Sequence, residues 1–187
     1  MTIKKLLLSS LLLTGSIQSQ NSIGIDINSD DVEVLGSVNL NTLANYANGT
    51  TYILDIGYLH TDGNNMTSVG VSGENTLQGR EGLTLAFGLK GVIADDFLAF
   101  PLMAKGVYTL PLNHSVPTTS LTLSLAYAPS VLSFREAESY SDFRVEADME
   151  IISNVHVFTG YRNIKTNYEK NDHTFNNSFY GGLKLSF

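Results

Sequence analysis

The sequence predicts an all-β protein: an antiparallel transmembrane β-barrel of ten strands behind an N-terminal signal peptide, with eight strands as the alternative count. Three observations predict it. Apolar and polar residues alternate with period two through most of the chain. Charges of both signs collect on the parity opposite the apolar one. The chain closes on Phe179-Tyr180-Gly181-Gly182-Leu183-Lys184-Leu185-Ser186-Phe187. There Phe179, Leu183, Leu185 and Phe187 share one face of a strand, and Tyr180, Gly182, Lys184 and Ser186 share the other.

Residues 1–19 read as a signal peptide. Lys4 and Lys5 make a basic start, Leu6 to Leu13 an apolar run, and Thr14 to Ser19 a small, polar tail. The run is shorter than the ~20 residues a spanning helix needs. Residues 20–187 then form one domain, the barrel. The 187 residues include no cysteine, so export proceeds without disulfides. The formal charge of −7 falls to −9 without the two lysines. That acidity opposes nucleic-acid binding, which needs a basic footprint.

Ten alternating segments are expected: 22–28, 32–40, 51–60, 66–76, 82–93, 97–110, 119–134, 141–152, 155–168 and 175–187. Turn chemistry separates them at Asn28-Ser29-Asp30-Asp31, Thr61-Asp62-Gly63-Asn64-Asn65, Ala94-Asp95-Asp96, Ser153-Asn154 and Lys170-Asn171-Asp172-His173. Pro101 and Pro129 fall inside segments, where a missing N–H demands a bulge or a ragged edge. With the carboxy-terminus in the periplasm, the gaps at 29–31, 61–65, 94–96, 135–140 and 169–174 are external. Those at 41–50, 77–81, 111–118 and 153–154 are periplasmic. Outer loops are usually the longer set, and here 41–50 and 111–118 run against that rule.

A soluble sandwich or lipocalin-like barrel shows the same alternation with its faces reversed. Three features favour the membrane. The signal peptide directs export, and the terminal strand ends in an aromatic. Tyr52, Tyr58, Tyr108, Tyr127 and Tyr161 sit on the apolar parity, mostly near strand ends, where interfacial girdles lie. Lipid tolerates strands only when their backbone pairing closes.

The lumen side carries Asp26, Glu33, Asp55, Glu74, Lys90, Lys105, Arg144, Glu146, Asp148, Glu150, Arg162 and Lys184. Charges in a narrow lumen are costly unless paired or hydrated. An ion-pair network is therefore expected, built from Arg144, Glu146, Asp148, Glu150, Arg162 and Lys184, with Lys90, Lys105, Asp55 and Glu74. It would brace the lumen and close it. Pairing across Ser153-Asn154 would bring Arg162 near Glu146, within one pairing step. A wet, weakly selective pore is the alternative.

Chemistry has poor material. His60 with Asp62, and His173 with Asp172, occupy polar turns, where a solvated role is the plain reading. His114 lies in an inner turn. His156 points to the lumen near the periplasmic end, with no nucleophile at its i+2 position. No metal-ligand spacing or phosphate loop appears, and neither cofactor nor catalysis is expected. The external turns lean acidic, at Asp30-Asp31, Asp62, Asp95-Asp96, Glu136 and Glu138. Such acids share divalent ions with lipopolysaccharide phosphates or are simply solvated.

Several fragments recur in an order that resembles the YfaZ family of outer-membrane proteins. They are Tyr127-Ala128-Pro129, Val145-Glu146-Ala147, Gly160-Tyr161-Arg162 before Ile164, and Tyr180, Gly182 and Ser186-Phe187. A looser match covers Val69-Gly70-Val71 and Gly88-Leu89-Lys90-Gly91, and residues 41–50 look like an extension beyond the pattern. The resemblance implies a small outer-membrane barrel and no reaction.

The expected function is structural or permeability-related, in the outer membrane of a Gram-negative bacterium after Sec export. The competing class is a surface-binding barrel acting through its loops. Expected partners are outer-membrane lipid and lipopolysaccharide. The barrel-assembly machinery would engage the C-terminal strand through Leu183, Leu185 and Phe187. A monomer is expected.

Overall fold

The computed structural model describes residues 21–42, 49–112, 116–168 and 172–187. The segment read as a signal peptide lies outside them. The strands are β1 (Ser22–Ile27), β2 (Asp31–Asn39), β3 (Thr51–Thr61), β4 (Asn64–Thr76), β5 (Leu83–Ala94) and β6 (Phe97–Ala99). They continue with β7 (Leu102–Thr109), β8 (Thr119–Ala128), β9 (Ser133–Arg135), β10 (Ala137–Ile152), β11 (Val155–Tyr168) and β12 (Asp172–Ser186).

Neighbours in sequence pair antiparallel around a ring. β12 returns to pair with β1 through Ser22↔Ser186 to Ile27↔Gly181, so the sheet has no free edge. Ten staves close the barrel, because β6 and β7 form one stave and β9 prolongs the stave of β8. All ten match the segments expected from the alternation.

Both prolines break a stave where expected. Pro101 separates β6 from β7 and still accepts Lys90 N–H through its carbonyl at 3.0 Å. After Pro129 a 3-10 turn, Ser130–Leu132, leads into β9, and Phe100 N–H donates to Leu132 O at 2.8 Å. One gap is corrected: 135–140 is no loop, because β10 starts at Ala137. Arg135, at φ 64°, and Glu136 turn the chain there, while the Arg135 guanidinium donates to the carbonyls of Ala94 and Asp95.

The β3–β4 hairpin shows how local sequence sets register. Asp62 and Gly63 take φ of 44° and 79°, the left-handed pair a two-residue primed turn needs. That turn fixes Thr61 opposite Asn64 and puts Leu59 opposite Met66, both inward. The apolar parity faces out all round: Ile25, Val34, Ile56, Val71, Leu89, Leu123, Val145 and Leu183 are exposed. The exposed faces of Tyr52, Tyr58, Tyr108 and Tyr127 stand near strand ends, as a girdle requires. In water such a surface would aggregate; in lipid it is the solvated one.

Candidate functional site

The barrel interior is layered along its axis. At the end away from the termini lies an apolar plug of Leu59, Met66, Val92, Phe97, Tyr140 and Ile164, with Ala94, Ala99, Ala128 and Ala137 filling between them. Phe97 packs against Tyr140 at 5.6 Å and edge-on against Phe175 at 6.0 Å. This departs from the uniformly polar lumen that alternation suggests. At this end both faces of several staves are apolar.

Below the plug, charges join across the lumen. Lys90 Nζ lies 3.4 Å from Asp142, Arg144 Nε donates to Asp142 Oδ1 at 3.0 Å, and Arg144 Nη1 to Glu33 Oε2 at 2.7 Å. Arg162 Nη1 then donates to the same Glu33 oxygen at 2.6 Å and to Asp26 Oδ1 at 2.9 Å, and Nη2 lies 3.4 Å from Asp31. The chain of contacts runs from β5 through β10 to β2, and on through β11 to β1. It spans the barrel rather than following one wall. Arg162 is 0% exposed. Its Nε reaches Asn176 Oδ1 at 3.0 Å, and its guanidinium lies 5.0 Å from the centre of the Tyr180 ring. A buried guanidinium is tolerable because its fork meets several acceptors at once.

Beneath this layer the lumen opens into a cup of about 480 Å³ facing the end that carries the termini. Glu33, Lys90, Asp142 and Arg144 line its floor; Asp55, Glu74, Lys105, Glu146, Asp148, His156 and Lys184 line its walls. Lys105 pairs with Glu74 at 2.6 Å, and Lys184 with Asp148 at 2.5 Å. Asp55 accepts from Ser37 Oγ, and Glu146 from Tyr180 O–H at 3.2 Å.

The expected lumen residues thus divide into two groups. Lys90, Arg144 and Arg162 belong to the transverse layer of ion pairs, whereas Asp55, Glu74, Lys105, Glu146, Asp148 and Lys184 belong to the cup. Glu150 belongs to neither; it accepts the backbone N–H of Asn154 at 3.0 Å and caps the β10–β11 turn. Arg162 falls within one pairing step of Glu146, as expected, but among the described residues it makes no ion pair with it. Its cross-strand partner is Arg144, and Glu146 stands opposite Gly160. The guanidinium reaches instead toward β1 and β2. Asp31, read as a solvated turn acid, is buried. It accepts from Asn28 at 2.6 Å, Asn176 at 2.7 Å and Ser178 at 3.0 Å.

Asp142 was missed, although its parity with Arg144 placed it on the lumen face. His60 is exposed and contacts Asn65 Oδ1 at 2.8 Å. His114 and the side chain of His173 lie outside the described residues. Leu183, Leu185 and Phe187 are exposed on the outer face.

Residues 102–187 match the family described as "YfaZ precursor". That span holds the carboxy-terminal fragments noted above and excludes the looser ones at 69–71 and 88–91. No curated protein matches the chain. Among solved structures, the KdgM porin is similar at 13% identity over 89% of this chain and 98% of its own, with a TM-score of 0.45. The NanC porin is similar at 9% identity over 89% and 98%, with a TM-score of 0.46. A "bacterial polysaccharide outer membrane secretin" is similar at 11% identity over 89% and 68%, also with 0.46. Likenesses this distant assign no activity here. The closed barrel, its apolar exterior and this match agree: residues 102–187 match the YfaZ precursor family, and the fold is that of a small outer-membrane barrel.

Proposed function

We propose that the protein is a structural barrel of the outer membrane whose lumen is sealed against through-flow. The observation that carries this is the transverse chain of ion pairs from Lys90 to Asp26, backed by the apolar plug. An ion crossing the barrel would have to separate buried pairs and then pass a dry layer, and each step costs several kcal/mol, on the order of the buried-pair penalty. The sealed end faces the cell exterior and the cup faces the periplasm, the sense in which both termini are periplasmic. Lipid and lipopolysaccharide surround the exterior, and the assembly machinery engages Leu183, Leu185 and Phe187.

The surface-binding alternative needs large loops at the sealed end. There the turns at Asn28–Asp30, Asp62–Gly63 and Asp95–Asp96 are short and present little area.

Planar-bilayer recording of the purified, refolded barrel tests the proposal. The expected record holds no long-lived conductance steps. A large, steady conductance in the wild-type protein overturns the sealed lumen.

A further inference from the structure

The wall of the cup holds an arrangement that a structural role does not require. Asp148 on β10, His156 on β11 and Ser186 on β12 project from three adjacent strands to the same lumen face. His156 Nδ1 lies 2.7 Å from Asp148 Oδ1, and its Nε2 lies 3.3 Å from Ser186 Oγ. A neutral imidazole with its proton on Nδ1 satisfies both contacts. It donates to the carboxylate and accepts from the hydroxyl. Asp148 is buried, and Lys184 Nζ takes its other oxygen, Oδ2, as a charge contact at 2.5 Å. Oδ1 is left to orient the ring. The backbone N–H of Ser186 donates to Asn154 O at 2.9 Å, which fixes the strand that carries the hydroxyl. All four side chains line the cavity, and Phe158 adds an apolar wall.

We propose that Ser186, His156 and Asp148 form a nucleophile, base and orienting acid that hydrolyse small carboxylic esters entering the cup from its open end. The contacts have the order of an activated serine, with the serine–histidine contact at 3.3 Å at the loose end of that range, as is common without substrate, and rigid strands hold all three residues. Ser186 Oγ bonds to the ester carbonyl carbon as its proton passes to His156 Nε2. The carbon–oxygen bond to the alcohol then breaks, and the alcohol leaves with that proton. Water repeats the sequence on the acyl-serine, releases the carboxylic acid and restores the serine. Ester and water are consumed; acid and alcohol are formed.

The test uses the whole refolded barrel in detergent micelles and a tagged fluorophosphonate as the probe. The heat-modifiable wild-type protein is expected to label covalently at Ser186 and to hydrolyse p-nitrophenyl butyrate. Ser186→Ala should abolish both. His156→Gln should slow labelling at least ~100-fold, the low end of what a positioned base contributes. Asp148→Asn should lower the maximal inactivation rate and leave the half-saturating probe concentration unchanged, a split that loosened packing would not give. Ser186→Cys, close in size, should shift reactivity to iodoacetamide, and it serves if the alanine variant does not fold. No labelling of the folded wild type, labelling at another residue, or His156→Gln reacting at the wild-type rate overturns the proposal. The three residues would then only brace the barrel mouth.

Discussion

Replacing Arg162 by methionine removes the central cation of the transverse ion-pair layer and keeps an apolar stem of similar length. The acids it serves do not lose equally. Glu33 retains Arg144 Nη1 at 2.7 Å, and Asp31 retains Asn28, Asn176 and Ser178. Asp26 fares worst. It is 0% exposed, and among the described residues Arg162 is its only ion-pair partner and its Oδ2 has no hydrogen-bond partner. The variant therefore leaves one buried carboxylate uncompensated, at a cost of about 3–5 kcal/mol. That is roughly a hundred- to several-thousand-fold in the folding equilibrium. With no tryptophan in the chain, unfolding is best followed by the gel mobility of unheated samples across a urea series in phospholipid vesicles. Adding Asp26→Asn to the methionine variant removes the stranded charge and should recover more than half of the loss. An Arg162→Met barrel within ~0.5 kcal/mol of wild type would refute the electrostatic account. So would a double variant no more stable than the single one.

Two further outcomes follow from the outer surface. Leu123→Arg, on the exposed face at mid-strand in β8, should destabilise the barrel in vesicles by about 2–4 kcal/mol. The same change on a water-facing surface would be nearly neutral, so urea midpoints in vesicles decide which solvent this face meets. Phe187→Ser should lower the amount of heat-modifiable protein in the outer-membrane fraction. Normal accumulation there would remove Phe187 from any role in assembly.

The staves were legible because alternation is local. Each segment carries its own parity, and lipid selects one face of every strand. Pro101 and Pro129 signalled their breaks for the same reason, since a missing N–H is a property of one residue. What sequence could not supply is contact across the lumen. Arg162 and Asp26 stand 136 residues apart, and nothing near either one names the other. The hairpin rule placed Arg162 within one pairing step of Glu146 and sees only neighbouring strands, whereas the guanidinium reaches past them to Asp26 and Glu33. The plug escaped notice because Leu59, Met66 and Ile164 occupy the parity assigned to polar groups, and only closure shows them converging. Ser186 is not legible as a partner of His156 because the two lie 30 residues apart and the hydroxyl arrives from the neighbouring strand.

The pairing of β12 with β1 also sets a schedule. Ring closure joins the first described strand to the last, so the seam forms only after nearly the whole chain is available, a slow and entropically expensive step. Until then Asp26 and Glu33 stay hydrated and keep the amino-terminal strands water-compatible. When β11 arrives with Arg162, those charges are neutralised and dehydrated together. Closure of the sheet and drying of the interior thus become one event. A chain stalled before it would remain an open, wettable sheet that a periplasmic protease could still clear.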